Sequence, residues 1–528
     1  MSSEPGLAPG AESAPASPAP GGRLGATIAR NAMFSVGGRL TFLFAWALIT
    51  PFMLHVLGEN RFAIWALFFA LSGYFATFDL GLSQALVKYV AQFSTAGDAR
   101  ALRGVVTLGA LAFVTLAAPV VVVLATFQGP ILDAIHTPAP LRAEAGWTLI
   151  AIAVVLGLNN LVGVITAVLI GKQRLDVTNR IQLIVTAIQI AGTLAALELG
   201  GGLRGLVVAY GGGVLVNGFL SLRAMRAIEP EARLDPSAIN RRLLRELFHF
   251  GSALQITNVG AFLQFQLDKF LLAHLATLGM VTRFELSSRV AQAAWTLPTW
   301  CLTPLVPAVS QLGSLADHDR ILRLYGRASR YIAAIAFPLA AFMIVTAPAL
   351  VTGWLGPGYP EAARGTIGMI SFLLLTVLTG VGTSVCRGKG VPWMEVEYTV
   401  VGTIVHLALS LWLVPRLAFD GALLALFASG VVSVSFFLWR LHRWIHEPFG
   451  RWLRDVIAVP FAVSLTAALL VVLWRGGLMR FPAGRAAAWM DVARSAAVFV
   501  TVTGAGYVAT RFVTKKELRE LMGALPGR

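Results

Sequence analysis

The residues of this chain that could do chemistry are charged groups set inside long apolar runs: Arg39, Asp79 and Lys88 near the start, and Asp268, Lys269, Glu285 and Arg289 in the middle. Ionised groups beside hydrocarbon are costly, so they face a wet cavity or a partner. The stretch from Arg61 to Phe93 shows the pattern, with an apolar run to Phe78 followed by Asp79, Gly81, Ser83, Gln84 and Lys88 in quick succession. At helical rise, Arg39 and Asp79 fall at one depth, roughly 27 Å below the outer end of their runs, and so form a candidate pair near the inner mouth. Asp268, Lys269 and Arg289 fall near the outer ends of two later runs. Charge placed low in one half and high in the other suits a cavity that receives an anion on one side and releases it on the other. The plainer readings stand beside it: ion pairs that lock helices together, Asp79 as a helix cap, and Lys88 reaching out to the headgroups.

Two polar stripes agree with a cavity. Gln255, Asn258, Gln266 and Lys269 share one helical face, as do Asn179, Gln182, Thr186, Gln189 and Thr193 on another. Small polar residues also join helices without lining anything. Pro51, Pro298, Pro304, Pro307 and Pro338 lie within runs, where they can soften helices that must bend. His406 is alone in an apolar run and reads as a packing residue, and the glycines 211–213 read as packing too, since no strand precedes them and no GxGxxG pattern is present. Without a Walker motif or a His/Cys cluster, ATP is not expected as a direct energy source and no cofactor or metal is implied. Asp79, Asp268 and Glu285 are the candidates for a coupled proton or sodium ion.

These residues are positioned by membrane helices. The chain is 57% hydrophobic and 13% charged, with a mean hydropathy of +0.74, which excludes an ordinary soluble domain. Its net charge of +16 is dispersed between apolar runs, as positive-inside topology requires and nucleic-acid binding does not. Cys301 and Cys386 have neither metal nor redox spacing. About fourteen runs of roughly 20 residues follow a Pro/Ala/Gly/Ser-rich start, which is expected to be disordered and, lacking the pattern of a cleaved signal, retained. The expected fold is an all-α integral membrane protein of about 14 transmembrane helices in two pseudo-symmetric six-helix lobes plus two C-terminal helices.

The boundaries are a tail at 1–25, a first lobe at 26–228, a linker at 229–246, a second lobe at 247–446, the last pair of helices at 447–514 and a tail at 515–528. A repeat supports the two lobes. Arg100, Leu102 and Arg103 match Arg320, Leu322 and Arg323, and Gly171 and Lys172 match Gly388 and Lys389 at an offset of about 220 residues. An even number of runs per copy gives like-oriented lobes with a path between them. Basic residues place both termini in the cytoplasm by an excess of roughly three to one. Arg475, Arg480 and Arg485 dissent, falling in a loop expected outside.

The run FDLGLSQALVKYVAQF, preceded by GENRFAIWALFFALSGY, resembles the start of the O-antigen and exopolysaccharide flippases of the MATE-like multidrug/oligosaccharidyl-lipid/polysaccharide (MOP) exporter superfamily. FELSSRVAQAAWTLPTWCLTPLVPAVSQL is similar to an eighth-span pattern shared with the lipid II flippases. The resemblance runs nearly the whole chain in span order. It implies a V-shaped transporter of the bacterial inner membrane, moving an undecaprenyl-diphosphate-linked oligosaccharide between leaflets by alternating access, with other polysaccharide-assembly proteins as partners and no nucleic acid. Arg289 and Arg39 match positions where cavity arginines hold a diphosphate, for which the planar fork of arginine is suited. Two other classes remain: a cation-coupled exporter of the same superfamily, for which acidic cavity residues and fewer spans are expected, and a polytopic enzyme acting on the same lipid, for which a long outer loop is expected.

Overall fold

The computed structural model describes residues 48–71, 82–240, 243, 259–260, 262–264, 266–302, 305, 309, 318–391 and 393–512, and their regular structure is helical. In the first lobe lie α1 (Leu48–Leu71), α2 (Leu82–Ala96), α3 (Ala99–Thr126), α4 (Arg142–Gly171), α5 (Leu175–Glu198) and α6 (Gly202–Ile228). The second holds α7 (residues 266–275), α8 (Leu278–Leu302), α9 (His318–Leu355), α10 (Pro360–Gly388) and α11 (Trp393–Ile445), and α12 (Val459–Arg475) and α13 (Arg485–Ala509) follow. Among the described residues, 10 helices are long and apolar enough to cross a membrane. The expectations for Arg39, Asp79, Gln255 and Asn258 lie outside the described residues.

The longest helix illustrates how backbone chemistry sets topology. At 53 residues, α11 would reach about 80 Å if straight, far beyond a hydrocarbon layer of about 30 Å. It folds back instead at Ala418, where φ is +48° and ψ −117°. Beyond the turn Gly421 comes so close to the Leu413 carbonyl that a Cβ there would overlap it. Two spans are therefore joined by residues 415–420, where the sequence placed the loop between Val414 and Gly421. A similar break falls at Gly58 in α1, with φ +74°, between the first two expected spans.

One expectation about a boundary is corrected. The basic stretch 320–330 was expected as a loop before a span starting at Tyr331, yet α9 begins at His318. Ile321, Tyr325, Ala328 and Ile332 recur at helical spacing and are all buried, so an amphipathic face carries the helix out past the membrane with its arginines on the wet side. The dissenting arginines also have a structural reason. Arg475 pairs with Asp491 at 2.9 Å and donates to the Arg480 carbonyl at 3.1 Å, while Arg485 donates to the Leu355 carbonyl at 3.0 Å, at the end of α9. Arg480 in turn donates to the Arg475 carbonyl at 2.6 Å, so Arg480 and Arg485 each satisfy a free carbonyl at a helix C-terminus and complement its dipole.

The repeat sits at equivalent places. Arg100 to Arg103 open α3, Arg320 to Arg323 open α9, and Gly171 and Gly388 end α4 and α10. Asp98 caps α3, its carboxylate accepting the Ala101 N–H at 2.9 Å. Between the lobes, the linker is strapped to α3: the Asp235 N–H donates to Thr107 Oγ1 at 2.8 Å, and Gly104 leaves room for the Ala238 carbonyl.

The packing is asymmetric along the bundle. One buried cluster spans both lobes, joining Met53 and Phe62 of α1 and Leu149 of α4 to Leu272 of α7, Phe284 of α8 and Phe372 of α10. Toward the end carrying Arg103 and Lys172, the first lobe has its own core around Leu86, Leu102 and Val168. Toward the end carrying Arg323 and Lys389, the second has another around Tyr325, Val381 and Phe437. The short helix Gln128–Ala134 that follows α3 meets the end of α7 through the Ala134 carbonyl and His274 Nδ1, 2.7 Å apart. Following the helices from that contact puts both separate cores at the opposite end, which is the inner one in the orientation expected from the sequence. Among the described residues, the lobes share a core at one end and have separate cores at the other.

Candidate functional site

Consecutive residues on a helix point about 100° apart, and α7 uses this to send two charges in different directions. Lys269, buried, reaches Glu285 of α8 with Nζ 2.6 Å from Oε2. Asp268, wholly buried, faces α11, where Ser410 Oγ donates to Oδ1 at 2.9 Å and His406 Nε2 lies 3.3 Å from Oδ2. The other oxygen of Glu285, Oε1, pairs with Arg289 one turn along α8, at 2.8 Å. Arg289 then crosses to the first lobe: Nη1 donates to Thr50 Oγ1 at 2.5 Å, and its guanidinium stands 5.6 Å from the centre of the Phe62 ring.

Among the described residues one carboxylate thus serves two cations, leaving the Lys269–Glu285–Arg289 group, which touches both lobes, at +1, while the neighbouring Asp268 turns to α11. An uncompensated buried charge is costly, and an anion brought to it would be held by charge-assisted hydrogen bonds. Two atoms are buried without a hydrogen bond: Oε1 of Gln266, three residues before Lys269, and Nδ1 of His406, whose ring faces Asp268.

Beyond the cluster, the outer end is clamped. Arg283 bridges Glu59 at 3.3 Å and Glu361 at 3.2 Å, and Thr282 Oγ1 donates to the Glu59 carbonyl at 2.8 Å. In the first lobe Arg61 pairs with Glu144 at 2.9 Å, whose other oxygen accepts the Leu203 N–H at 2.7 Å. At the inner end a cavity of about 680 Å³ opens beside α2, α3 and the linker, lined in part by Gln92, Asp98, Arg100 and Asn240. Nearby, Glu229 accepts from Ser94 at 2.6 Å and pairs with Lys172 at 2.8 Å. Burial raises the pKa of its carboxyl, but the Lys172 and Ser94 hydrogen bonds outweigh that and hold it below the usual range.

Of the residues singled out from sequence, Lys269, Glu285 and Arg289 come together. Lys88 is exposed, its ammonium 4.9 Å from the Tyr89 ring centre. Gln182 is exposed and donates to Thr186 at 3.4 Å. Gln189 is buried between α5 and α6, donating to the Tyr210 carbonyl at 3.5 Å and filling the space above Gly213. Sequence reasoning missed Thr50 and Phe62 as partners of Arg289, and it set His406 aside as packing. Its place opposite Asp268 had one signal, a lone imidazole in an apolar helix.

A family model described as "Polysaccharide biosynthesis protein" matches residues 56–364, more than half of the chain. The chain belongs to that family. The matched region carries most of α1, all of α2 to α9 and Lys269, Glu285 and Arg289. No curated protein matches. Among solved structures, the lipid II flippase MurJ in an inward closed conformation is similar with a TM-score of 0.68 and 13% identity, over 91% of this chain and 99% of that one. An inward-facing multidrug resistance MATE family transporter of the MOP superfamily is similar with a TM-score of 0.62 and 14% identity, over 76% of this chain and 95% of that one. A MOP superfamily transporter from Pyrococcus furiosus is similar with a TM-score of 0.53 and 13% identity, over 80% of this chain and 96% of that one. This member of the polysaccharide biosynthesis family is a multi-pass membrane protein with the MATE-like MOP fold.

Proposed function

We propose that this protein is a flippase that moves an undecaprenyl-diphosphate-linked oligosaccharide from the inner to the outer leaflet of a bacterial inner membrane, with both termini in the cytoplasm and other polysaccharide-assembly proteins as partners. The observation that carries the proposal is the buried cluster of Lys269, Glu285 and Arg289, cationic overall and reaching across to Thr50 of the first lobe. An anion of high charge density is the ligand such a group favours, and a diphosphate matches the planar fork of Arg289. Separate cores at the inner end suit lobes that open there to admit the headgroup, and rocking about the shared outer core would release it while the polyprenyl tail stays in lipid. Membership of the polysaccharide biosynthesis family and the MurJ-like fold support the substrate class.

Coupling belongs to the same reading. Asp268, facing His406 and Ser410 in the membrane, is the proposed seat of a coupled proton or sodium ion, separate from the cations that meet the substrate.

The experiment is export in cells carrying Arg289→Ala at normal protein level. Export should be abolished and the lipid-linked intermediate should accumulate in the inner leaflet. Unchanged export would remove Arg289 from the diphosphate site.

A further inference from the structure

We propose that the inner end of the second lobe holds a binding site for the phosphate of an anionic phospholipid, set between the start of α9 and the turn that leads into α12. It is separate from the transport path and independent of the proposed substrate.

The site is a cavity of about 530 Å³ whose wall includes Arg323, Arg327, Arg330, Arg451 and Trp452. Several basic side chains elsewhere at this end are paired: Lys172 with Glu229, Arg387 with Glu395 and Arg440 with Glu397. Among the described residues, Arg323, Arg327 and Arg451 have no hydrogen-bond or ion-pair partner. Asp319, Glu447 and Asp455 line the cavity too, but Asp455 is engaged by Arg454 at 3.2 Å, so the wall keeps a positive excess. Positive-inside topology accounts for arginines at this end, not for several unpaired ones around one hollow.

The floor supplies an independent pointer to a ligand. Trp452 is 4% exposed, and its Nε1–H, a donor with no acceptor role, has no partner; Arg330 Nε is likewise buried and unpartnered. Buried donors left unmade are costly and rare, and a ligand oxygen would satisfy them once a small shift of either side chain opens it to the cavity. The indole is fixed in place by stacking on Tyr325 at 6.2 Å and on Phe449 at 5.9 Å. Tyr325 is itself held by a 3.2 Å contact of its hydroxyl with His442 Nε2. Directly after Trp452 the chain makes a π-helical turn, Leu453–Ala458, an irregularity common at functional sites.

Location decides that the phosphate comes on a lipid. Val459 begins the apolar helix α12, so the cavity lies where the chain enters the membrane. The exposed side of α12 carries Phe461, Leu465 and Leu469 at intervals of one turn, a track for acyl chains below a headgroup at the arginines. Basic pockets between helices at this interface are suited to lipid phosphates. A bound lipid would tie α9 to the turn before α12, beside the point where Arg330 donates to the Phe512 carbonyl.

The test uses the full chain, purified and delipidated in detergent, titrated with dioleoyl phosphatidylglycerol or dioleoyl phosphatidylcholine and read by native mass spectrometry. Retention of the anionic lipid should exceed that of the zwitterionic one by about tenfold, and the R323Q/R327Q/R451Q variant should bring the two level. Trp452→Phe keeps the ring and removes the donor, and it should weaken the anionic lipid several-fold. This single variant carries the test if the triple variant does not stay folded. Undiminished phosphatidylglycerol binding in the triple variant, or in W452F when the triple variant does not stay folded, would overturn the site. Displacement by millimolar inorganic phosphate would make it a site for free phosphate, and binding of undecaprenyl phosphate with phosphatidylglycerol excluded would make it a substrate station. Either result overturns the phospholipid proposal.

Discussion

Glu285 is the residue on which the central cluster depends, because it is the shared partner of Lys269 and Arg289. Replacing it with Gln leaves two cations facing each other in a place with little water. Removing one member of a buried ion pair costs about 3 to 5 kcal/mol, whereas replacing the whole set by apolar residues of similar volume is often neutral. Glu285→Gln should therefore melt well below the parent in detergent, by about 3 kcal/mol of stability. The K269M/E285L/R289M variant should recover most of that loss and still export nothing. If E285Q melts like the parent, the two cations have other counter-charges and the cluster is not the unit described here.

At the level of single helices, the reversal inside α11 concentrates strain at one position. Ala418 has φ +48°, a conformation that costs a residue with a Cβ about 1 kcal/mol and a glycine almost nothing. Ala418→Gly should stabilise the folded protein by up to about that amount, less the extra freedom glycine gives the unfolded chain. Its melting temperature is the measurement, and a fall would show that the turn holds Ala418 through contacts of its methyl group. The neighbouring Gly421 has the opposite sensitivity, since the Leu413 carbonyl occupies the space a side chain would need. Both residues serve the same end, bringing His406 and Ser410 on one arm of the hairpin alongside Asp268 of α7.

For the molecule as a whole, the balance between its two ends is the quantity of interest. The lobes share a core and an ion-pair clamp at the outer end, with Arg283 bound to Glu59 of the first lobe and Glu361 of the second. They have separate cores at the inner end. Arg283→Ala removes the clamp without touching the inner half, so the population should shift toward arrangements closed inside and open outside. Spin labels replacing the exposed residues Arg100 and Arg320, which open the corresponding helices α3 and α9, would report this as a shorter distance between the inner ends. An identical distance distribution in the variant would mean that the hydrophobic core alone holds the outer end shut.

The sequence by itself determined the membrane class, the helical form, the repeat and the identity of the charged residues worth following, because lipid forces every backbone group to be satisfied within a helix and makes each charge conspicuous. Lys269, Glu285 and Arg289 were legible on that ground alone. Partnership was not. Which way a helix turns each side chain depends on rotations that an apolar run leaves almost free, since lipid and neighbouring helices are equally apolar. Only the packed structure could send Asp268 toward His406 and Lys269 toward Glu285, set Gln189 between α5 and α6, pair Arg475 with Asp491, and turn Arg480 and Arg485 onto helix ends.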